Sequence, residues 1–69
     1  MAKKRITIDG MSCSHCSSRV ETALNALDGV KAKVNLKKNI AEVRADDSVS
    51  DVLLRETVEA LGFTVVGIE

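Results

Sequence analysis

The 69-residue chain contains no proline, tryptophan or tyrosine, and its one aromatic residue is Phe63. Proteins that bind single-stranded nucleic acid stack bases on several aromatic side chains, so the chain lacks the means for this. Its charges do not favour nucleic-acid binding either, because ten lysines and arginines balance ten aspartates and glutamates. Nucleic-acid-binding proteins usually carry an excess of basic residues. The composition therefore predicts no nucleic-acid partner.

The chain also lacks a long apolar run. A membrane-spanning helix needs about 18 or more consecutive apolar residues, and no such stretch occurs. The basic start at residues 1–5 resembles the charged head of a signal peptide, but residues 6–10 (Ile-Thr-Ile-Asp-Gly) are not the apolar segment that should follow it. We therefore expect a cytosolic protein that does not insert into a membrane.

Cysteine is scarce, since only Cys13 and Cys16 are present. In a reducing compartment two cysteines are more often metal ligands or redox groups than a structural disulfide. The short chain predicts a single domain over residues 1–69, because neither half of it has enough apolar surface to fold alone. A core this small leaves little room for a deep catalytic cleft, so we do not expect an enzyme.

Apolar periodicity predicts four strands and two helices. The strands are predicted over residues 4–9, 30–36, 41–45 and 63–68, and the helices over Ser14 to Leu27 and from an N-cap at Ser50 to Gly62. The stripes Val20-Leu24-Leu27 and Leu54-Val58-Leu61 are predicted to face the core. The order βαββαβ predicts an α+β ferredoxin-like sandwich, a four-stranded antiparallel sheet with both helices on one face.

The direction of each element predicts where function gathers. The loop after the first strand, the turn at Lys37-Lys38 and the joint at Gly62-Phe63 all fall at one end of this sheet. Lysines in a turn are commonly just solvated, but at this end Lys37 and Lys38 are also candidates for docking an acidic partner. Phe63 is predicted both to join the core and to lie beside the loop that carries the cysteines.

That loop reads Gly10-Met11-Ser12-Cys13-Ser14-His15-Cys16. A two-residue spacing lets a loop that turns into a helix aim both sulfurs at one point. Cys16 falls in the first helical turn, where unpaired amides and the positive end of the helix dipole favour a thiolate. Copper(I) is satisfied by two soft thiolates, whereas zinc generally takes four ligands. The pattern thus predicts a Cu(I) site formed by Cys13 and Cys16, open to a third thiolate and suited to a carrier.

Three neighbours of the cysteines have predicted roles. Gly10 lets the backbone turn sharply out of the strand, and Met11 anchors the loop by packing inward. Two interpretations of His15 stay open, an exposed bystander or an additional copper ligand in a dimer.

Residues 10–16 resemble the GMxCxxC signature of the heavy-metal-associated domain family, especially its bacterial Atx1-like copper chaperones. Gly29-Val30 and Leu61-Gly62-Phe63 resemble further family features, so the likeness covers nearly the whole chain. The resemblance implies that Cu(I) bound by Cys13 and Cys16 is delivered to the metal-binding domain of a copper-transporting P-type ATPase, or to a copper-responsive repressor. Ser12 stands where zinc-preferring members often carry aspartate, which argues against zinc.

Several alternatives remain. The chain is either a freestanding chaperone, as Met1 and the end at Glu69 favour, or a metal-binding domain cut from a copper ATPase. We expect a monomer without copper, and a copper-bridged dimer is an alternative with copper. A thioredoxin-like oxidoreductase is disfavoured by the short chain and the missing tryptophan and proline. Haem attachment needs histidine after the second cysteine, and that residue is Ser17.

Overall fold

The computed structural model describes residues 2–11 and 14–69. The elements are β1 (Ala2–Asp9), α1 (Ser14–Asn25), β2 (Val30–Asn35), β3 (Ile40–Ala45), α2 (Asp51–Glu59) and β4 (Thr64–Ile68). The strands form one antiparallel sheet in the order β2-β3-β1-β4. Both the predicted element order and the ferredoxin-like fold class are confirmed.

One face of the sheet and both helices share the core. The fully buried residues in it are Ile6 and Ile8 of β1, Ala41, Val43 and Ala45 of β3, Val20 and Leu24 of α1, and Leu54 and Val58 of α2. The buried residues recur at every second position in the strands and at about every fourth position in the helices, as the apolar pattern of the sequence predicted. Complete burial of each valine, leucine or isoleucine contributes about 1.5–3 kcal/mol, so this layer is the main source of stability.

The register of the sheet decides which residues share a face. Ile6 lies opposite Ala41, and Ile8 lies opposite Val65. Residues that lie opposite each other on neighbouring strands point to the same side, so both pairs face the helices. The pairing of β1 with β4 shifts between Thr7 and Ile8, which gives β4 one extra residue there. The opposite face of the sheet is open to solvent.

The first helix is two residues shorter than predicted. It ends at Asn25, and Leu27 lies in the following turn, half-buried, where its N–H donates to the carbonyl of Leu24 (3.1 Å). The side-chain amide of Asn25 bonds to the backbone of Ala32 in β2, which ties the helix end to the sheet. Gly29 then adopts a φ of +75°, the left-handed conformation predicted for the end of this segment.

The second helix begins as predicted and ends early. Ser50 is its N-cap, since its Oγ accepts a hydrogen bond from the N–H of Leu53 (3.2 Å). Asp51 in the first turn pairs with the ammonium group of Lys4. The helix ends at Glu59, so Leu61 belongs to the closing turn and is half-buried.

The remaining predicted bounds differ from the observed ones by one or two residues, as element ends commonly do. In the described part of the chain, neither helix is long and apolar enough to cross a membrane.

Candidate metal site

The loop that leaves β1 is shaped by a glycine and held by a methionine. Gly10 has a φ of +101°, a conformation that side chains rarely tolerate, and the backbone turns out of the sheet there. Met11 is 5% exposed and packs in the core cluster. The predicted roles of both residues are confirmed. The thioether therefore fixes where the loop leaves the sheet, since moving it would expose a buried side chain.

Cys16 lies in the first turn of α1, one of the two predicted ligand positions. The helix begins at Ser14, and no acidic side chain lies in its first turn to neutralise the unpaired backbone amides. Cys16 is half-buried and packs against the core cluster, so the fold positions it firmly. Ser17 donates from Oγ to the carbonyl of Ser14 (2.9 Å). Cys16 therefore lies at the N-terminal end of α1, where the helix dipole is positive.

Cys13, the other predicted ligand, lies outside the described residues, as does Ser12. The convergence of the two sulfurs therefore stays a prediction. His15 is exposed on the first turn of α1, which agrees with its interpretation as a bystander and leaves its imidazole accessible. Within residues 2–11 and 14–69, no three His, Cys, Asp or Glu side chains are grouped so as to hold a metal ion.

Phe63 lies against the loop, as the chain direction predicted. A methyl group added at Gly10 would lie 3.5 Å from Cδ1 of Phe63, so the ring covers the α-carbon of the glycine. The ring is half-buried and packs against the core, so it serves both predicted roles. Gly62, with a φ of +98°, turns the chain between α2 and β4 at this point. The aromatic ring therefore lies beside the point at which the chain leaves β1.

The turn between β2 and β3 lies at the same end. The N–H of Asn39 donates to the carbonyl of Leu36 (3.3 Å), and the carbonyl of Asn39 accepts from the N–H of Ile8 (2.8 Å). This second bond places the turn beside the end of β1. Lys37 and Lys38 at its tip are exposed. The predicted gathering of three loops at one end of the sheet is confirmed.

The sequence placed Asn39 in this turn with the two lysines but did not predict its φ of +55°, which closes the turn. Asparagine tolerates the left-handed conformation better than most residues. Its position directly after two turn lysines was the available signal.

The geometry can be compared with known proteins. The profile of the heavy-metal-associated domain matches residues 5–64. The chain belongs to the heavy-metal-associated domain family. It is 43% identical over 68 residues to the "Copper chaperone CopZ" of Staphylococcus aureus, an alignment that covers 96% of this chain and 100% of that one.

Solved structures of related proteins also resemble this chain. A structure described as "CopZ metallochaperone" superposes with a TM-score of 0.90 at 42% identity, covering 94% of this chain and 100% of the other. A copper-binding domain from HMA7, a P-type ATPase, superposes with a TM-score of 0.89 at 37% identity, covering 100% and 99%. A metallochaperone and an ATPase domain therefore share this fold, and both resemble this member of the heavy-metal-associated domain family.

Proposed function

We propose that this chain is a cytosolic copper(I) chaperone that binds its cargo through Cys13 and Cys16. The observation that carries the proposal is the position of Cys16, half-buried in the first turn of α1, at the end of the sheet where the three loops gather. Core packing holds Cys16 in this position as a soft ligand, and the neighbouring loop supplies Cys13 as the second ligand. The 43% identity to a copper chaperone over nearly the whole chain supports the same conclusion.

Two thiolates suit Cu(I) and leave it accessible. Zinc sites generally need four ligands, whereas Cu(I) is satisfied by two soft thiolates. Copper(I) with two sulfur ligands accepts a third, so an incoming thiolate forms a three-coordinate intermediate before one of the original sulfurs leaves. The ion remains Cu(I) throughout, because only ligands are exchanged. Transfer then needs no release of free copper into water.

The partner proposed is the metal-binding domain of a copper-transporting P-type ATPase. The support is similarity, because such domains share this fold at a TM-score of 0.89, and ligand exchange between similar sites has little net driving force either way. A copper-responsive repressor is a second acceptor of the same kind. Lys37 and Lys38, exposed beside the site, suit an acidic docking face.

The first test is a competition titration. The reduced apo-protein is titrated anaerobically with Cu(I) against a competing chelator, and with zinc in parallel. Loss of a supporting partner of a metal ligand weakens binding about 10–100-fold, so Cys13→Ser and Cys16→Ser should each weaken Cu(I) binding by more. Ser18→Ala, an exposed change on the same helix, is the control. Copper binding that is weak, or insensitive to either cysteine, overturns the proposal.

The role of His15 is measured in the same titration. His15→Ala should leave the Cu(I) affinity unchanged if the imidazole is a bystander. A weaker affinity that appears only at protein concentrations where dimers form would instead support the copper-bridged dimer.

An ATPase fragment is the second candidate, because the likeness to the HMA7 domain spans 100% of this chain. Cells that express the protein from its own gene should contain it as a separate polypeptide of about the mass of the 7.4 kDa chain. Intact-protein mass spectrometry distinguishes the two, since a fragment would appear only within a much larger protein.

A further inference from the structure

The solvent face of the sheet has an excess of positive charge although the whole chain is neutral. Its exposed residues include five cations, Lys3, Arg5, Lys31, Lys33 and Arg44, against three carboxylates, Asp9, Glu42 and Glu69. We call these five cations the basic face. It holds half of the ten lysines and arginines of the chain, and the balancing acidic residues lie mostly on the helices and loops. A neutral net charge therefore conceals a separation of charge across the molecule.

One row of the basic face works against stability, whereas in the neighbouring row Glu42 lies between Arg5 and Lys33. Arg44 of β3 lies opposite Lys3 on one side and Lys31 on the other, which makes a row of three like charges across three strands. Like charges directly opposite each other in a sheet are destabilising. In residues 2–11 and 14–69 no ion pair relieves the row, since the one ion pair found there joins Lys4 and Asp51.

Some cations of the basic face can be explained as protection of an edge strand against pairing with another chain, but not all of them. Lysines on edge strands discourage pairing with other chains, and β2, which carries Lys31 and Lys33, is an edge strand. Lys3 and Arg44 belong to β1 and β3, the two central strands, where there is no edge to protect. Those two cations call for another reason.

We infer that the basic face docks the protein on an anionic lipid surface. The face is built from strands without a projecting helix, and Phe63, the sole aromatic residue, packs against the core. It therefore lacks both a helix for a nucleic-acid groove and a platform for stacking bases. Long cationic side chains on a broad surface suit a lipid bilayer, because anionic headgroups require no fixed geometry and attract each nearby lysine or arginine.

An apolar border on the same face favours lipid over an acidic protein or nucleic acid. Val66 is the extra residue of β4 where its pairing with β1 shifts. It directly precedes Gly67, which lies opposite Thr7 of the solvent face, and it is 67% exposed. Ile40 lies on this side opposite Thr7 and is half-buried. Basic residues combined with apolar side chains are typical of surfaces that lie in a membrane interface.

The placement leaves the metal site free. Lys3, in the row of three cations, lies six residues before Asp9 along β1, which corresponds to about 20 Å of strand. The loop with the cysteines leaves the sheet beyond Asp9. A protein held at a membrane by the basic face would keep its metal end open to an acceptor domain in the same membrane. The docking itself does not involve copper.

Vesicle co-sedimentation of the reduced apo-protein tests the inference. Vesicles of equal parts phosphatidylcholine and phosphatidylglycerol should bind the chain, and vesicles of phosphatidylcholine alone should not. Raising the salt concentration should abolish binding, because screening lengths fall below about 10 Å above 0.1 M. Each basic residue removed should weaken binding about fivefold, and Arg44→Glu by more because it reverses the charge.

Arg44→Glu also guards against a folding artefact, because glutamate at this position would face Lys3 and Lys31 and relieve the row of like charges. Its thermal midpoint should equal or exceed that of the parent. Arg55→Glu on α2 is exposed, changes the net charge equally and should bind vesicles as the parent does. The inference fails if anionic vesicles do not bind, if both variants bind equally, or if a DNA duplex or polyglutamate binds in place of vesicles.

Discussion

The side-chain amide of Asn25 makes two hydrogen bonds with the backbone of Ala32, donating from Nδ2 to the carbonyl (3.1 Å) and accepting from the N–H at Oδ1 (2.9 Å). Asn25 is the last residue of α1, and Ala32 lies on the edge strand β2. The amide therefore pairs with β2 as another strand would. This contact holds the end of the helix to the sheet.

Asn25→Ala should lower the free energy of unfolding by about 1–2 kcal/mol, since a typical intramolecular hydrogen bond contributes about 0.5–1.5 kcal/mol. Urea denaturation measures the change. Thr22→Ala is a matched control, because Thr22 is exposed on the same helix and threonine and asparagine have similar helix propensities. Equal stability of the two variants would show that the amide contributes nothing.

Gly29→Ala should lower the free energy of unfolding by about 1–2 kcal/mol, the cost of a left-handed conformation for an L-residue. The glycine has a φ of +75°, and an added methyl would lie 2.6 Å from Oδ2 of Asp46. That carboxylate ends a short, exposed side chain that can turn into solvent, so we expect the backbone to dominate. Thermal unfolding measures the loss.

A double variant shows whether the loss of stability comes from the backbone conformation of residue 29 or from the contact of the added methyl with Asp46. Asp46→Ala added to Gly29→Ala should restore less than about 0.5 kcal/mol, the range of simple additivity. Full recovery would show that the carboxylate, rather than φ, opposes the methyl. Gly67→Ala is the control, because no atom lies within 4 Å of an added methyl there.

Met11→Leu should change stability by less than about 1.5 kcal/mol, as volume-conserving core changes do, and should leave Cu(I) affinity unchanged. Met11→Ala should cost about 2–5 kcal/mol, because Met11 is 5% exposed and a cavity would remain. Chelator competition and urea denaturation measure the two effects separately. Weaker copper binding by the leucine variant would contradict the packing role and make the thioether a ligand.

Asn39→Gly should raise the free energy of unfolding, because Asn39 has a φ of +55° and glycine adopts positive φ without steric cost. The gain should be smaller than the roughly 1–2 kcal/mol that a left-handed conformation costs most L-residues, since asparagine tolerates it better. The thermal midpoint should rise accordingly. Asn35→Gly, at the end of β2, should instead destabilise the protein, since it removes the Oδ1 that accepts from the N–H of Lys38 (3.4 Å) and since glycine weakens strands. A loss in both variants would mean that the turn depends on the asparagine side chain.

Much of the fold was accessible from sequence because its signals are local. Alternation in β3 and the helical spacing of Leu54 and Val58 each follow from burial on one side of an element. The gathering of Gly10, Phe63 and the lysine turn follows from strand direction alone. The spacing of the two cysteines and the family signature both predict Cys13 and Cys16 as ligands, and Cys16 lies in the first turn of α1 as predicted.

The features that sequence reasoning overlooked depend on contacts between distant segments. The early end of α1 reflects the pairing of Asn25 with Ala32, which no local propensity reveals. The basic face depends on strand register, because only the alignment of β1, β2 and β3 brings Lys3, Lys31 and Arg44 into one row. A count of charges cannot detect such a row.

The position of Phe63 against Gly10 gives the site a built-in spectroscopic reporter. A ring current shifts the resonances of protons above or beside an aromatic ring, and Phe63 is the only Phe, Tyr or Trp in the chain. The α-protons of Gly10 therefore report the distance and tilt of Phe63, and a His15→Ala variant removes the one other ring, the imidazole, as a control. Movement of the cysteine loop during metal exchange would be readable from two glycine protons in an otherwise unlabelled protein.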